Sequence, residues 1–240
     1  MSKPFQFKEF IIHQDKTAMK VGTDGVLLGA WSSVTDFPDA ILDIGAGTGV
    51  VSLMLAQRSD ALIIDAVELD ENAYEQTVEN FERSSWSDRL YCYHATFQEF
   101  AIEIATDEET YDLIVSNPPF FADSFQTENS ARNKARSTSF LSFEELIEGV
   151  VNIISKNGKF VVILPFLEER NSISLAAKNN LFLNRVCRVQ GNASSEVKRT
   201  LLEFSLTKTS IKEEHLIIEL SRHQYTEAYV NLTKDFYLKM

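Results

Sequence analysis

The sequence predicts an α/β fold, a mostly parallel seven-stranded sheet with helices on both faces and an antiparallel hairpin at its C-terminal end. Two observations carry this expectation. Short β-branched apolar runs alternate with helical patterns for most of the chain, as in parallel strands joined by crossover helices. Late in the chain the spacing changes: two strand-like runs, 182–190 and 199–207, have only Gly191 to Lys198 between them. That gap is too short for a crossover helix, so the two runs should pair antiparallel.

The elements follow in order. Residues 40–44 (AILDI) form a first strand and 48–58 the helix after it. Residues 62–68 are a second strand, followed by an acidic helix over 70–83. A third strand, 90–95, leads to a helix around 98–104, and 112–116 is a fourth strand. After an irregular stretch come a helix at 143–154, a strand at 158–165, the two hairpin strands, and a final strand–helix or helix over 216–237. At 240 residues the chain can bury a full core as one domain, 1–240, with an N-terminal extension (1–38) before the sheet core (39–240).

Composition narrows the partners. No apolar stretch reaches membrane-spanning length and the first residues lack a signal-peptide core, so a cytoplasmic chain without a membrane partner is expected. Cys92 and Cys187 lie far apart in apolar segments, and the four histidines do not cluster. Two reduced thiols and no metal site are the reading. The formal charge of −12 is unevenly placed: residues 60–112 hold 15 Asp/Glu against Arg83 and Arg89, a net of −13, so the remainder sums to +1. One acidic flank therefore leaves the rest of the surface free to meet a polyanion.

The most informative turn is "DIGAGTG", Asp43 to Gly49, directly after the first strand. Glycines at this place let a ligand approach the backbone closely. A dinucleotide fingerprint needs its third glycine at position 50, where Val50 stands. Asp43 beside the loop would repel a pyrophosphate, whereas it would welcome an ammonium such as that of S-adenosylmethionine. Glu68 ends the next strand, 19 residues after Gly49, where a carboxylate can accept both ribose hydroxyl protons. Strand, glycine triplet, helix, strand and acid in this order point to a nucleoside cofactor.

The fourth strand ends in Asn117-Pro118-Pro119-Phe120. Neither proline can donate to a ladder, so the strand must stop at Asn117, on a rigid turn bearing a carboxamide and an aromatic ring. With the glycine loop and the terminal hairpin, this turn resembles the Rossmann-like class I S-adenosylmethionine-dependent methyltransferases whose Asn-Pro-Pro-aromatic motif methylates conjugated amino groups. The resemblance implies that the Asn117 and Pro118 carbonyls accept the two N–H bonds of the target and draw its lone pair out of conjugation. Phe120 would stack on a flipped base.

Two further stretches narrow the group. "FKEFIIHQDKTAMKVGTDGVLLGAW" (7–31) and "ARNKARSTSFLSFEELI" (131–147) are similar to the bacterial tRNA1(Val) (adenine(37)-N6)-methyltransferase family, and with the cofactor motifs the similarity covers most of 5–165. It implies methylation of N6 of the adenosine beside the anticodon of a valine tRNA. By position, Thr23 and Asp24 would lie at the methionine end of the cofactor, and Gly45, Gly47, Gly49 and Glu68 would hold the nucleoside. Such enzymes place an Asp after the third strand for the cofactor adenine. Here Thr96 stands instead, with the Phe97 N–H beside it. Arg132, Lys134 and Arg136 in the long 123–140 loop, with Lys198 and Arg199 at the hairpin, are the candidate RNA contacts. The docking surface is expected to combine that loop, the N-terminal segment and the 191–199 turn. The readings left beside this one are an rRNA guanine-N2 or protein-glutamine N5 methyltransferase, or a non-catalytic RNA-binding module on the same scaffold.

Overall fold

A computed structural model of the chain describes residues 3–119 and 141–240. Strands β3 (Ala40–Ile44), β4 (Ile63–Glu68), β5 (Leu90–His94), β6 (Tyr111–Ser116), β7 (Ile154–Pro165), β8 (Phe182–Asn192) and β9 (Val197–Ser205) supply the seven expected strands. Two more, β10 (Lys212–Ser221) and β11 (Gln224–Tyr225), extend the sheet to nine, in the order β11-β10-β8-β9-β7-β6-β3-β4-β5. This corrects the strand count while keeping the fold class. From β5 to β7 neighbouring strands are parallel; β9 is antiparallel to both β7 and β8, and β10 returns parallel to β8. A separate two-stranded ribbon, β1 (Phe5–Gln6) with β2 (Ile11–Ile12), precedes the sheet.

Period-2 alternation along the strands sorts their side chains onto two cores. Ile41, Ile64, Leu113, Val161 and Leu201 face one side, where α1 (Thr23–Trp31) and α2 (Val50–Arg58) cover them. Leu42, Val67, Ile114, Val162 and Leu202 face the other, under α4 (Phe97–Thr106) and α5 (Phe143–Ile153). Helix α3 (Glu71–Glu82) places Phe81 in the first core. Helices α3, α4 and α5 begin on Asp70, Thr96 and Ser142, each accepting from a first-turn N–H, which satisfies donors a helix start leaves open.

Helix α1 was not expected from the sequence, because its run VLLGAW has no polar face to set a helical period. Residues 25–31 are all buried. A Cβ at Gly29 would lie 2.9 Å from Met54 Sδ, so the glycine lets α1 and α2 pack closely. Helix α6 (Glu169–Lys178) also lacks a clear apolar period in the sequence; it buries only Glu169, Ser172 and Ala176. Glu169 anchors it, receiving three hydrogen bonds from Arg188 (2.8–3.1 Å) and one from Thr200 (2.8 Å). The added strand β10 is tied in by Arg188 to Glu213 and by Trp31 Nε1 to Glu214. Near the end of the chain, α7 (Glu227–Thr233) packs on α1 and β10. Both cysteines are free; burial pushes the Cys187 thiol up to about 12. No described helix is long and apolar enough to cross a membrane.

Asp65 is a polar intrusion into the apolar sheet. It is 4% exposed, accepts from the Tyr111 hydroxyl at 2.6 Å, and leaves Oδ1 without a hydrogen bond. Burial is the largest cause raising its pKa to about 6, with the Tyr111 bond opposing. A carboxyl whose folded pKa is raised favours the protonated fold, so its contribution is full below its ordinary pKa and is lost as pH rises through about 6. Asp65→Asn keeps an acceptor for Tyr111 and removes the titration. Denaturant titrations should therefore show that the parent chain loses stability relative to Asp65→Asn between pH 4 and 6. Parallel pH profiles for the two proteins would contradict this.

Candidate active site

Strand register brings the motifs together. Ile44 at the end of β3 pairs with Val67 of β4 on one side and Ser116 of β6 on the other. Gly45, Glu68 and Asn117 each follow directly on one of these three residues, so they lie at one level across three adjacent strand ends. With neighbouring strands about 4.8 Å apart, Glu68 and Asn117 flank the glycine loop at roughly 10 Å from each other. Ser116 fixes this level by donating its hydroxyl to the Ile44 carbonyl at 2.9 Å. The level is the carboxyl edge of the sheet, where ligands of open α/β folds bind.

Gly45, Gly47 and Gly49 all adopt left-handed backbone, with φ of 75°, 61° and 74°. A Cβ at Gly45 or Gly47 would meet nothing within 4 Å, so these two line open space. Gly49 differs: its Cβ would fall 2.7 Å from Phe81 and 3.1 Å from Thr77, so it serves packing against α3. Glu68 braces the loop before any ligand arrives, since its Oε2 accepts from the Gly47 N–H at 2.8 Å and its Oε1 from the Asp70 N–H at 2.9 Å.

Asp43 is 1% exposed and turned to the protein. Its Oδ2 accepts from the Ser52 hydroxyl at 2.6 Å and the Ser52 N–H at 3.2 Å, which ties β3 to the first turn of α2. Burial pushes its pKa up to about 6; the Ser52 bonds oppose this and the nearby Glu68 charge adds to it. Thr96 caps α4: its oxygen accepts from the Glu99 N–H at 3.2 Å and its hydroxyl donates to the Glu99 carboxylate at 2.7 Å. That side chain is committed to the helix, and the capping box keeps the Glu99 carboxyl below its ordinary pKa. Phe97 is buried, with its N–H in the first turn, where a helix leaves donors open.

Two residues expected in different roles meet. Asp24, in the first turn of α1, accepts from Arg199 Nε at 2.8 Å. Arg199 pairs with Pro165 at the end of β7, so this ion pair joins the N-terminal segment to the hairpin at the same sheet edge. Thr23 and Lys198 are exposed beside them in sequence. Asn117 and Pro118 are half-buried and Pro119 is exposed. Phe120, Arg132, Lys134 and Arg136 lie outside the described residues. Among the described residues no cluster of His, Cys, Asp and Glu could hold a metal ion.

The N-terminal segment, expected on the docking surface, is joined to the acidic helix α3. Lys16 bridges Glu75 and Glu79 on α3, both at 2.8 Å, and the His13 backbone bonds the Asn80 side chain. Phe7 and Phe10 are core residues, stacked on one another with centroids 4.7 Å apart. Asn80 and Thr77 support the loop, and no local pattern around them marks that role. Thr77 Oγ1 donates to the Gly47 carbonyl at 3.0 Å and Asn80 Nδ2 to that of Thr48 at 2.9 Å.

The family model of the methyltransferase small domain matches residues 26–179. Over the whole chain, the tRNA1(Val) (adenine(37)-N6)-methyltransferase of Christiangramia forsetii is 54% identical across 239 residues, which cover 100% of this chain and 99% of that protein. Those of Bacteroides fragilis and Trichodesmium erythraeum are each 46% identical, covering 98–100% of both chains. The chain belongs to this methyltransferase family. Among solved structures, a predicted O-methyltransferase from Agrobacterium tumefaciens superposes with a TM-score of 0.66 at 17% identity, over 89% of this chain and 96% of that one. The ribosomal protein L11 methylase of Lactobacillus delbrueckii gives 0.55 at 13% identity, over 80% and 82%. At such identities the likeness is one of fold alone.

Proposed function

We propose that this chain transfers a methyl group from S-adenosylmethionine to N6 of adenine 37 in tRNA1(Val). The observation that carries the chemistry is the common level of Asn117, Gly45 and Glu68 at the carboxyl edge of the sheet. The names of the full-length relatives supply the nucleotide. The residues fit the cofactor: left-handed Gly45 and Gly47 leave an open cradle, and Glu68 stands beside it with a carboxylate suited to ribose hydroxyls. Bound there, S-adenosylmethionine supplies an electrophilic methyl group on its sulfonium.

The chain's own part is positioning. An exocyclic adenine amine is a poor nucleophile because its lone pair is delocalised into the ring. The Asn117 side-chain carbonyl and the Pro118 backbone carbonyl each accept one of its N–H bonds and turn the lone pair toward the methyl donor. Pro118 and Pro119 restrict the backbone around both acceptors. Phe120 offers its ring to the extruded base. Thr23 and Asp24 take the methionine end, Asp43 supports the loop from below, and the Phe97 N–H, in the turn that Thr96 caps, edges the adenine. RNA phosphates reach Lys198, Arg132, Lys134 and Arg136, while Arg199 contributes from its pair with Asp24. Residues 1–240 act as one methyltransferase domain in the cytoplasm, where its tRNA substrate resides.

Glu68→Ala tests the cradle. It removes the ribose acceptor and the Gly47 brace, so cofactor affinity should fall roughly tenfold or more, a hydrogen bond to a charged group being worth about 1.5–3 kcal/mol. Titration calorimetry on the folded variant with unchanged affinity would remove this assignment. The reaction itself is tested with S-adenosylmethionine labelled in the methyl group, offered in parallel with bulk tRNA, ribosomal RNA and protein. Label should enter tRNA and emerge as N6-methyladenosine after nuclease digestion. Label recovered as N2-methylguanosine from ribosomal RNA, or on protein glutamine, would replace this reading. No transfer to any of the three would leave an RNA-binding module.

A further inference from the structure

We propose that Asn80 is a positioning residue that locks the glycine loop to the N-terminal segment and so sets the width of the cofactor cleft. The proposal rests on the cofactor reading above. Asn80 lies on α3, is 1% exposed, and carries no charge. Its carboxamide is fully occupied on two fronts. Toward the N-terminal segment, Oδ1 accepts from the His13 N–H at 2.9 Å and Nδ2 donates to the His13 carbonyl at 2.9 Å, the exchange a strand partner would make. Toward the glycine loop, the second Nδ2 hydrogen goes to the Thr48 carbonyl at 2.9 Å. One acceptor and two donors are needed at these places, and of the small side chains only an amide supplies both.

The neighbours extend the same device. Gln76, fully buried one turn earlier, accepts from the Lys16 N–H at 3.1 Å, and Thr77 holds the Gly47 carbonyl. From the other side, Val67 and Glu68 hold the N–H groups of Gly45 and Gly47. The left-handed loop is thus pinned by its N–H groups to β4 and by its carbonyls to α3. Beyond Lys16 the segment runs on to Thr23 and Asp24 at the start of α1. Asn80 is where the loop wall and this second wall share one side chain. Losing it frees both walls at once, so the loop must be ordered again each time a ligand binds.

The test compares affinity for S-adenosylhomocysteine with thermal stability. Asn80→Ala should weaken binding by about tenfold to a hundredfold, the scale of leaving buried backbone partners unpaired. His13→Pro removes the His13 N–H donor while leaving the Thr48 bond, and should weaken binding by a smaller factor; it carries the test if Asn80→Ala does not fold. Because both act through one carboxamide, the double variant should bind little worse than Asn80→Ala alone. Thr233→Val, which breaks a buried hydroxyl bond to the Tyr229 carbonyl within α7, supplies the control for general destabilisation. Variants that melt lower yet bind like the parent, as the control should, would make Asn80 merely structural and overturn the inference. Fully additive losses would overturn it as well. A parent chain that bound no S-adenosylhomocysteine would instead bring down the cofactor reading, and this inference with it.

Discussion

Asn117→Ala should bind cofactor as the parent chain does and lose methyl transfer by about 10²–10³ in kcat, the scale for deleting one preorganised polar group that acts on the reacting atoms. The side chain stands one residue past Ser116, whose hydroxyl bond to Ile44 holds the strand end in place, so the deletion leaves the level of the turn intact. Its cost should therefore appear in turnover and spare the binding of S-adenosylhomocysteine. Asn117→Asp keeps an acceptor oxygen but adds a charge beside the amine, and its rate should fall between the two. Single-turnover measurement on tRNA separates chemistry from release. An alanine variant turning over near the parent rate would sink the role given to the Asn-Pro-Pro turn.

The second large effect belongs to Gly49. Its φ of 74° costs an L-residue about 1–2 kcal/mol, and a Cβ there would press into Phe81 at 2.7 Å, adding the roughly 1–3 kcal/mol typical of overpacking. Gly49→Ala should thus cost about 2–5 kcal/mol and lower the melting temperature by roughly 5–15 °C for a chain of this size. Gly45→Ala carries the same backbone penalty without the clash, since nothing lies within 4 Å of its Cβ. It should melt only a few degrees lower and lose cofactor affinity, because the added methyl occupies the open cradle. Thermal unfolding of the pair would expose a wrong assignment: equal losses would mean that packing against α3 is not what distinguishes Gly49.

The two glycines share a motif and a backbone conformation, yet they do different things. The spacing G-x-G-x-G after a strand was enough to mark the loop, since few other sequences turn so sharply there. Which glycine faces open space and which faces Phe81 depends on where α3 docks, and Phe81 lies 32 residues beyond Gly49 in the chain. Thr96 makes the same point. Its place after β5 suggested an adenine contact, but in the fold its hydroxyl closes a capping box with Glu99. Local capping and ligand binding call on the same small polar residues, and one sequence cannot separate them.

What the sequence determined by itself was the alternation of strands and helices, the antiparallel return at the end, and the place of two strand-end turns. These are local matters, set by side-chain period, by glycine's access to left-handed backbone and by proline's missing donor. What only the tertiary structure decided was pairing. It placed Arg199 against Asp24, laid Lys16 on the acidic helix, and put Asn80 between His13 and Thr48. It also buried α1, whose continuous apolar run carries no period to betray a helix, and set β10 beside β8 and β11 beside β10. Each of these rests on partners far apart in the chain, brought together by the packing of whole elements, and no short stretch of residues carries that information.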